Sequence, residues 1–271
     1  MFSADPQVST HPASPLAHGS EPSEDRAGGK GHGERSESSD SEERRRMAEM
    51  FEVLASTLPV QRRIVRAGDQ VHSAGERFTN LYVLHAGVLK VINTSADGRE
   101  NLVGLLFKGD WLGFDGIATG CYGCDAVATD TGEVWALPYE ALLRASREHA
   151  SLLGLLHAQM SRAITRDRDS RLSLCTLSAD ARLAEFLRQW ADAMARRGSR
   201  PNAFDLHVTR AEIGKFLGLT LETVSRGFSR LERCGAIRFL EKGRRNIEIP
   251  DLGVLDSFIQ ESPRPAGATL Q

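Results

Sequence analysis

The sequence predicts an α+β chain in three successive parts: an N-terminal antiparallel β-roll, a long helix for self-association, and a C-terminal winged helix-turn-helix. Three observations predict it. Residues 66–138 hold short apolar segments punctuated by glycine, as in RAGDQV, HAGVLKVI, SADGRENLVGLL and KGDWLGF. Residues 139–174 then run with Gly154 as their sole glycine and no proline. Finally, VTRAEIGKFLG followed by LTLETVSRGFSRLERCGAI has the outline of a helix, a tight turn and a second helix.

The chain has 271 residues, 41% hydrophobic and 26% charged, which suits two modest domains with separate cores. No apolar run approaches the roughly 18 residues that a bilayer-spanning helix needs, so no membrane partner is expected. The opening MFSADPQVSTHPASP lacks a basic stretch followed by an apolar one, which argues against a secretory signal. Four cysteines, Cys121, Cys124, Cys175 and Cys234, form no disulfide framework, and a cytoplasmic location with mostly reduced thiols is expected. The net charge of −2 conceals an asymmetry. Residues 173–250 carry 14 Lys/Arg against 9 Asp/Glu, a balance of +5 inside an acidic chain. Basic charge gathered in one module is the footprint of a polyanion partner.

Taken in order, residues 1–46 contain only Met1, Phe2, Val8 and Leu16 as large apolar side chains, and a disordered tail is expected. The sensor domain, 47–138, opens with Met47, Met50, Phe51 and Leu54 on one face of a short helix. Strands then alternate with turns. Asp97-Gly98 between VIN and NLVGLL signals a hairpin, and EVWALP (133–138) should close a roll around a ligand-sized interior. Over 139–174, Leu153, His157, Met160, Ile164, Asp167, Arg171 and Leu174 recur at three-to-four spacing. So narrow a seam on so long a helix needs a partner of like shape, and a symmetric copy is the simplest one. Asp167 would then approach its own copy unless Arg166, Arg168 or Arg171 neutralises it.

The third part, 175–250, starts with a helix after Ser178. Thr209 and Glu212 have capping-box spacing, Gly218 ends the next helix, and Thr220 caps another over 221–234. AIRFLEKGRRNIEI (236–249) reads as two strands around a basic tip, and 251–271 as a short helix and tail. Glu222, Ser225 and Arg226 stand three and four apart, so one helical face presents all three. Arginine can grip guanine O6 and N7 together, glutamate can accept from cytosine N4, and serine is permissive. On a recognition helix in the major groove this trio would read bases, while Lys215, Thr220, Arg230, Arg244 and Arg245 would meet phosphates.

These residues resemble the helix-turn-helix of the CRP/FNR family of bacterial transcription regulators, and the Glu-x-x-Ser-Arg spacing is that of its FNR and FixK branches. The resemblance spans about residues 50–255, taking in RAGD, LHAGVLKV and GDWLGFDGIATG in family order. It implies a cyclic-nucleotide-binding-like roll and a homodimer on palindromic double-stranded DNA. For this branch it also implies a half-site like TTGAT and activation through RNA polymerase. The interface would use Leu153, His157, Met160, Ile164, Asp167 and Arg171.

The sensor is less explicit. FNR proteins hold an iron–sulfur cluster with cysteines near the N-terminus and one in the roll. Here no cysteine precedes Cys121, and Trp135 stands where the roll's ligand would be, so no such cluster is expected. No arginine lies between Arg99 and Arg144 to grip a cyclic phosphate, which argues against cyclic AMP. Cys121-Tyr-Gly-Cys124 admits a redox pair, half of a zinc site or two packed loop thiols, and Cys234 admits oxidation near the DNA. A metal would need ligands that the sequence does not supply. Haem ligation by His85, His149 or His157 stays open, though a lone histidine is more often structural. No P-loop or nucleophile–base motif suggests an enzyme. The rival reading is a ligand- or redox-responsive signalling module whose winged helix contacts protein.

Overall fold

The computed structural model describes residues 31–95, 97–196, 202–241, 243 and 245–261. It opens with α1 (Gly31–Thr57). The helix was expected over 47–58, and it starts 16 residues earlier, within the stretch read as a tail; residues 1–30 lie outside the described residues. Charged residues four apart support the upstream part, with Arg46 Nη2 at 2.5 Å from Glu42 and Arg45 pairing Glu49. The downstream end buries Met50, Phe51, Leu54 and Leu58.

Two four-stranded antiparallel sheets follow. One places β1 (Gln61–Val65), β8 (Gly132–Pro138), β3 (Asn80–Ala86) and β6 (Trp111–Leu112) side by side. The other orders β2 (Gln70–His72), β7 (Asp125–Ala128), β4 (Leu89–Thr94) and β5 (Glu100–Leu106). The Asp97-Gly98 turn closes the β4–β5 hairpin as expected, pairing Thr94 with Glu100, and Gly98 has a φ of 79°. Between β3 and β4, Gly87 also has a positive φ, and a Cβ there would lie 2.9 Å from Gly132 Cα; only glycine permits that crossing. β8 pairs with both β1 and β3 and so completes its sheet. The short α2 (Gly116–Thr119) lies between β6 and β7.

The stretch expected as one helix over 139–174 is two: α3 (Tyr139–Glu148) and α4 (Ala150–Thr176). They part at His149, whose backbone leaves the helical region at φ −122°, ψ 88°. No glycine or proline announces this break. Leu142 of α3 packs with Leu152 and Leu156 of α4, Trp111 and Trp135 of the roll, and the apolar end of α1, and this packing overrides local propensity.

The C-terminal module contains α5 (Ala179–Arg196), β9 (Ala203–Asp205), α6 (Arg210–Leu217), α7 (Leu221–Arg233), β10 (Arg238–Phe239), β11 (Asn246–Glu248) and α8 (Leu252–Glu261). The two expected wing strands are β10 and β11; β9 adds a third, in the order β10-β11-β9. Trp190, Leu183, Leu187, Ile213, Val224 and Phe228 form its core. Each such side chain contributes roughly 1.5–3 kcal/mol by leaving water. That core does not stop at the module's edge: Val88, Leu102 and Leu105 of the roll belong to the same apolar cluster. Among the described residues, no helix is long and apolar enough to cross a membrane.

Candidate nucleic-acid interface

The helix-turn-helix is assembled by local bonds that the sequence specifies. Glu212 N donates to Thr209 Oγ1 at 3.2 Å, and Thr209 N donates back to Glu212 Oε2 at 2.7 Å, so the capping box at the head of α6 is closed. Gly218 adopts the left-handed conformation at φ 62°, and Leu219 N then reaches Gly214 O at 2.7 Å. A Cβ on Gly214 would fall 2.7 Å from Leu219 O, so this glycine lets the turn fold back on its own helix. Thr220 caps α7 by accepting from Thr223 N at 3.1 Å.

α7 has two contrasting faces. Val224, Gly227, Phe228 and Leu231 are buried. Gly227 allows α7 to cross α5 closely, because a Cβ there would meet Leu183 Cδ2 at 2.8 Å. Arg210 lays its guanidinium 4.1 Å above the Phe228 ring and steadies the helix from beneath.

Glu222, Ser225 and Arg226 share the opposite face, with Ser225 half-buried. Their side chains line one shallow, open depression with Ser229, Arg230 and Arg233. Arg226 Nη2 lies 3.5 Å from Glu222 Oε1, and these side chains are 62% and 75% exposed. So loose and solvated a pair holds little energy and can be exchanged for other partners. Ser229 and Arg233 were not singled out from the sequence; their positions seven and eleven residues after Glu222 repeat the same helical face.

The expected phosphate contacts divide by location. Thr220 and Arg245 are exposed, although the Thr220 hydroxyl already serves its helix cap. Lys215 is exposed, yet its Nζ donates to the Glu100 carbonyl of β5 at 2.7 Å. Arg230 borders the same depression with its side chain 39% exposed, and it is held by Asp180 of α5 through Nε, at 2.7 Å, and through Nη2. Hydrogen bonding to Asp180 raises its pKa further. In this arrangement Arg230 braces α7 on α5. Arg244 lies outside the described residues.

On α4, Leu153 is 41% and Ile164 57% exposed, His157, Asp167 and Arg171 are exposed, and Met160 is half-buried. Leu174, at 39%, ends the same seam, whereas Leu172, at 58% and two residues away, faces another side of the helix. Arg166 does not turn to Asp167; it reaches Asp110 of the roll at 2.7 Å.

Inside the roll, Tyr122 stacks on His72 at 4.1 Å, and Tyr82 lies 5.6 Å from the imidazole and 6.1 Å from Tyr122, so the three rings form one cluster. Tyr122 Oη donates to Asn80 O at 2.8 Å. Burial pulls the His72 pKa below its ordinary value, and the carboxylates of Asp115, Glu76 and Asp125 only partly oppose this. Cys124 Sγ donates to Asp115 Oδ2 at 3.3 Å. Burial, followed by the Asp115 charge, pushes the thiol pKa up to about 12, so Cys124 stays protonated. Cys121 and Cys234 are exposed, and neither they nor Cys124 form a disulfide.

Trp135 stands on β8, buried against Phe51 and stacked on His85 at 4.9 Å, its indole N–H donating to Glu133 at 2.7 Å. Burial lowers the His85 pKa despite the nearby Glu133 carboxylate. Among the described residues, no three His, Cys, Asp or Glu side chains gather closely enough to hold a metal ion.

Residues 62–149 match the model of the cyclic nucleotide-binding domain, and residues 181–258 that of the Crp-like helix-turn-helix domain. In the roll, Asp115 Oδ2 accepts from Gly123 N at 2.7 Å, next to the stacked Tyr122. The chain is 34% identical over 173 residues to the fumarate and nitrate reduction regulatory proteins of Escherichia coli K12 and Klebsiella oxytoca, covering 64% of this chain and 69% of either relative. The structure of FixK2 from Bradyrhizobium japonicum is similar with a TM-score of 0.65 and 25% identity, over 74% of this chain and 98% of that one. A CRP-family transcriptional regulator from Thermus thermophilus shares the fold at a TM-score of 0.56 and 23% identity, over 74% and 97%. Regulators of this kind are dimers that bind DNA, which favours nucleic acid over protein as the partner of the winged helix. On the capped helix pair with its open polar face, and on these likenesses, the chain belongs to the CRP/FNR family of DNA-binding transcription regulators.

Proposed function

We propose that this chain acts in the cytoplasm as a homodimer, paired along α4, and reads an inverted repeat with half-sites like TTGAT. The observation that carries this reading is the trio Glu222, Ser225 and Arg226, displayed on the first turns of a capped helix and held by nothing stronger than a 3.5 Å surface pair. Arg226 would grip a guanine with two parallel hydrogen bonds while Glu222 accepts from a cytosine amino group. Thr220, Arg233 and Arg245 would meet phosphates, joined by Lys215 once it exchanges the Glu100 carbonyl for DNA. The exposed strip from Leu153 to Leu174 would be covered by the same strip of a second copy. The bound dimer would activate transcription through contact with RNA polymerase.

A roll with the aromatic cluster of His72, Tyr82 and Tyr122 suits a regulator that works without a cyclic nucleotide. Titration of the full chain against a TTGAT inverted repeat and a scrambled duplex of equal length tests this, at a fixed, moderate salt concentration. Preference for the repeat by at least about a thousandfold is expected for specific recognition. Equal affinity for both duplexes defeats the reading.

A further inference from the structure

The DNA-binding module is joined to the roll by more than the connection from α4 to α5. Lys90, on β4, extends its Nζ to Glu212 Oε1 of α6 at 2.8 Å. Lys215, also on α6, reaches the Glu100 carbonyl of β5, and His207 Nε2 lies 3.8 Å from Asp130 Oδ2. Beneath these polar links, Phe107 meets Trp190 edge-to-face at 5.3 Å, and Val88, Leu102 and Leu105 enter the module's core.

Glu212 has two separable roles. Its Oε2 closes the capping box with Thr209, and its Oε1 receives Lys90. The cap therefore does not need Lys90. What Lys90 adds is a fixed direction: its strand is paired on both sides, with Leu105 and with Val127, and so serves as a rigid post. The Lys90 and Glu212 side chains are only 25% and 26% exposed, so water screens the pair less than it screens a pair on the open surface.

We propose that Lys90 is a positioning residue for DNA recognition: through Glu212 it holds α6, and with it α7, at one orientation on the roll, and thereby sets the separation of the two recognition helices in the dimer. This rests on the reading of a homodimer on an inverted repeat. A two-fold reader must place both helices about one helical turn apart. If each swings freely, engagement of the first half-site no longer places the second helix, and the gain from linked binding shrinks.

The test uses the full-length wild type, Lys90→Met and Lys90→Arg with three duplexes. One is the TTGAT inverted repeat, one is the same repeat with half-sites moved apart by about five base pairs, half a helical turn, and one carries a single half-site. Lys90→Met is expected to lose about tenfold on the repeat, to match wild type on the single half-site, and to distinguish less between the two spacings. Lys90→Arg should recover most of the loss. The unchanged half-site affinity separates positioning from damage to the helix-turn-helix, which would weaken binding to all three duplexes. Equal loss on repeat and half-site, or no loss on the repeat, overturns the proposal while leaving the DNA reading intact. A wild type that does not prefer the repeat to scrambled DNA overturns both.

Discussion

Arg230 of the recognition helix and Asp180 of the preceding domain helix form a two-pronged ion pair, with Arg230 Nε 2.7 Å from Asp180 Oδ2. The pair fastens α7 to α5 beside the close crossing at Gly227. Arg230→Ala is therefore expected to lower the stability of the module by about 1 kcal/mol, a modest figure because the side chain is partly solvated. Thermal unfolding of the free protein measures it. A fall in DNA affinity with no fall in melting temperature would place Arg230 at the phosphates instead.

Arg226 and Arg245 should behave oppositely to each other. Arg226→Ala is expected to cost about 1–3 kcal/mol on the TTGAT repeat and to flatten preference at the guanine. Arg245→Ala should weaken binding to all duplexes alike and reduce the slope of log affinity against log salt by about one. Salt titrations on specific and random DNA separate the two, and equal losses for Arg226→Ala on both duplexes refute base reading.

His72 makes the fold sensitive to acid. Its imidazole is 3% exposed, and burial holds its pKa below the ordinary 6.5. As pH falls below about 6.5, the unfolded chain takes up a proton that the folded one resists. Stability is thus complete above that pH and declines below it, by up to about 1.4 kcal/mol per pH unit until the folded group also titrates. His72→Phe keeps an aromatic ring against Tyr122 and Tyr82 and should flatten this decline, as denaturant unfolding at pH 7.5 and 5.5 would show.

Cys124 should react slowly with alkylating reagents at neutral pH, because burial and Asp115 keep the thiol protonated. Cys121, exposed just before Tyr122 in the same loop, should label first. Asp115→Asn removes the opposing carboxylate and should speed labelling of Cys124. Mass spectrometry of a timed reaction decides it, and equal rates for Cys121 and Cys124 in the wild type would contradict the geometry.

The parts of the structure that were legible in the sequence are those held by neighbours along the chain. Thr209 and Glu212, Gly218 and Thr220 each act within four residues, so the helix pair could be read directly. Asp97-Gly98 likewise set its hairpin. The unread features depend on distant partners or on packing. Arg230 meets a residue 50 positions away, and Lys90 one that is 122 positions away. The split at His149 carries no local punctuation, the third wing strand β9 is short and depends on pairing with β11 about forty residues on, and α1 begins in a segment whose composition alone suggests a tail.

Val88, Leu102 and Leu105 give the two halves of this molecule a common interior. The halves are consequently coupled in stability: trimming Leu102 to alanine is expected to loosen the seating of the C-terminal module as well as the roll itself.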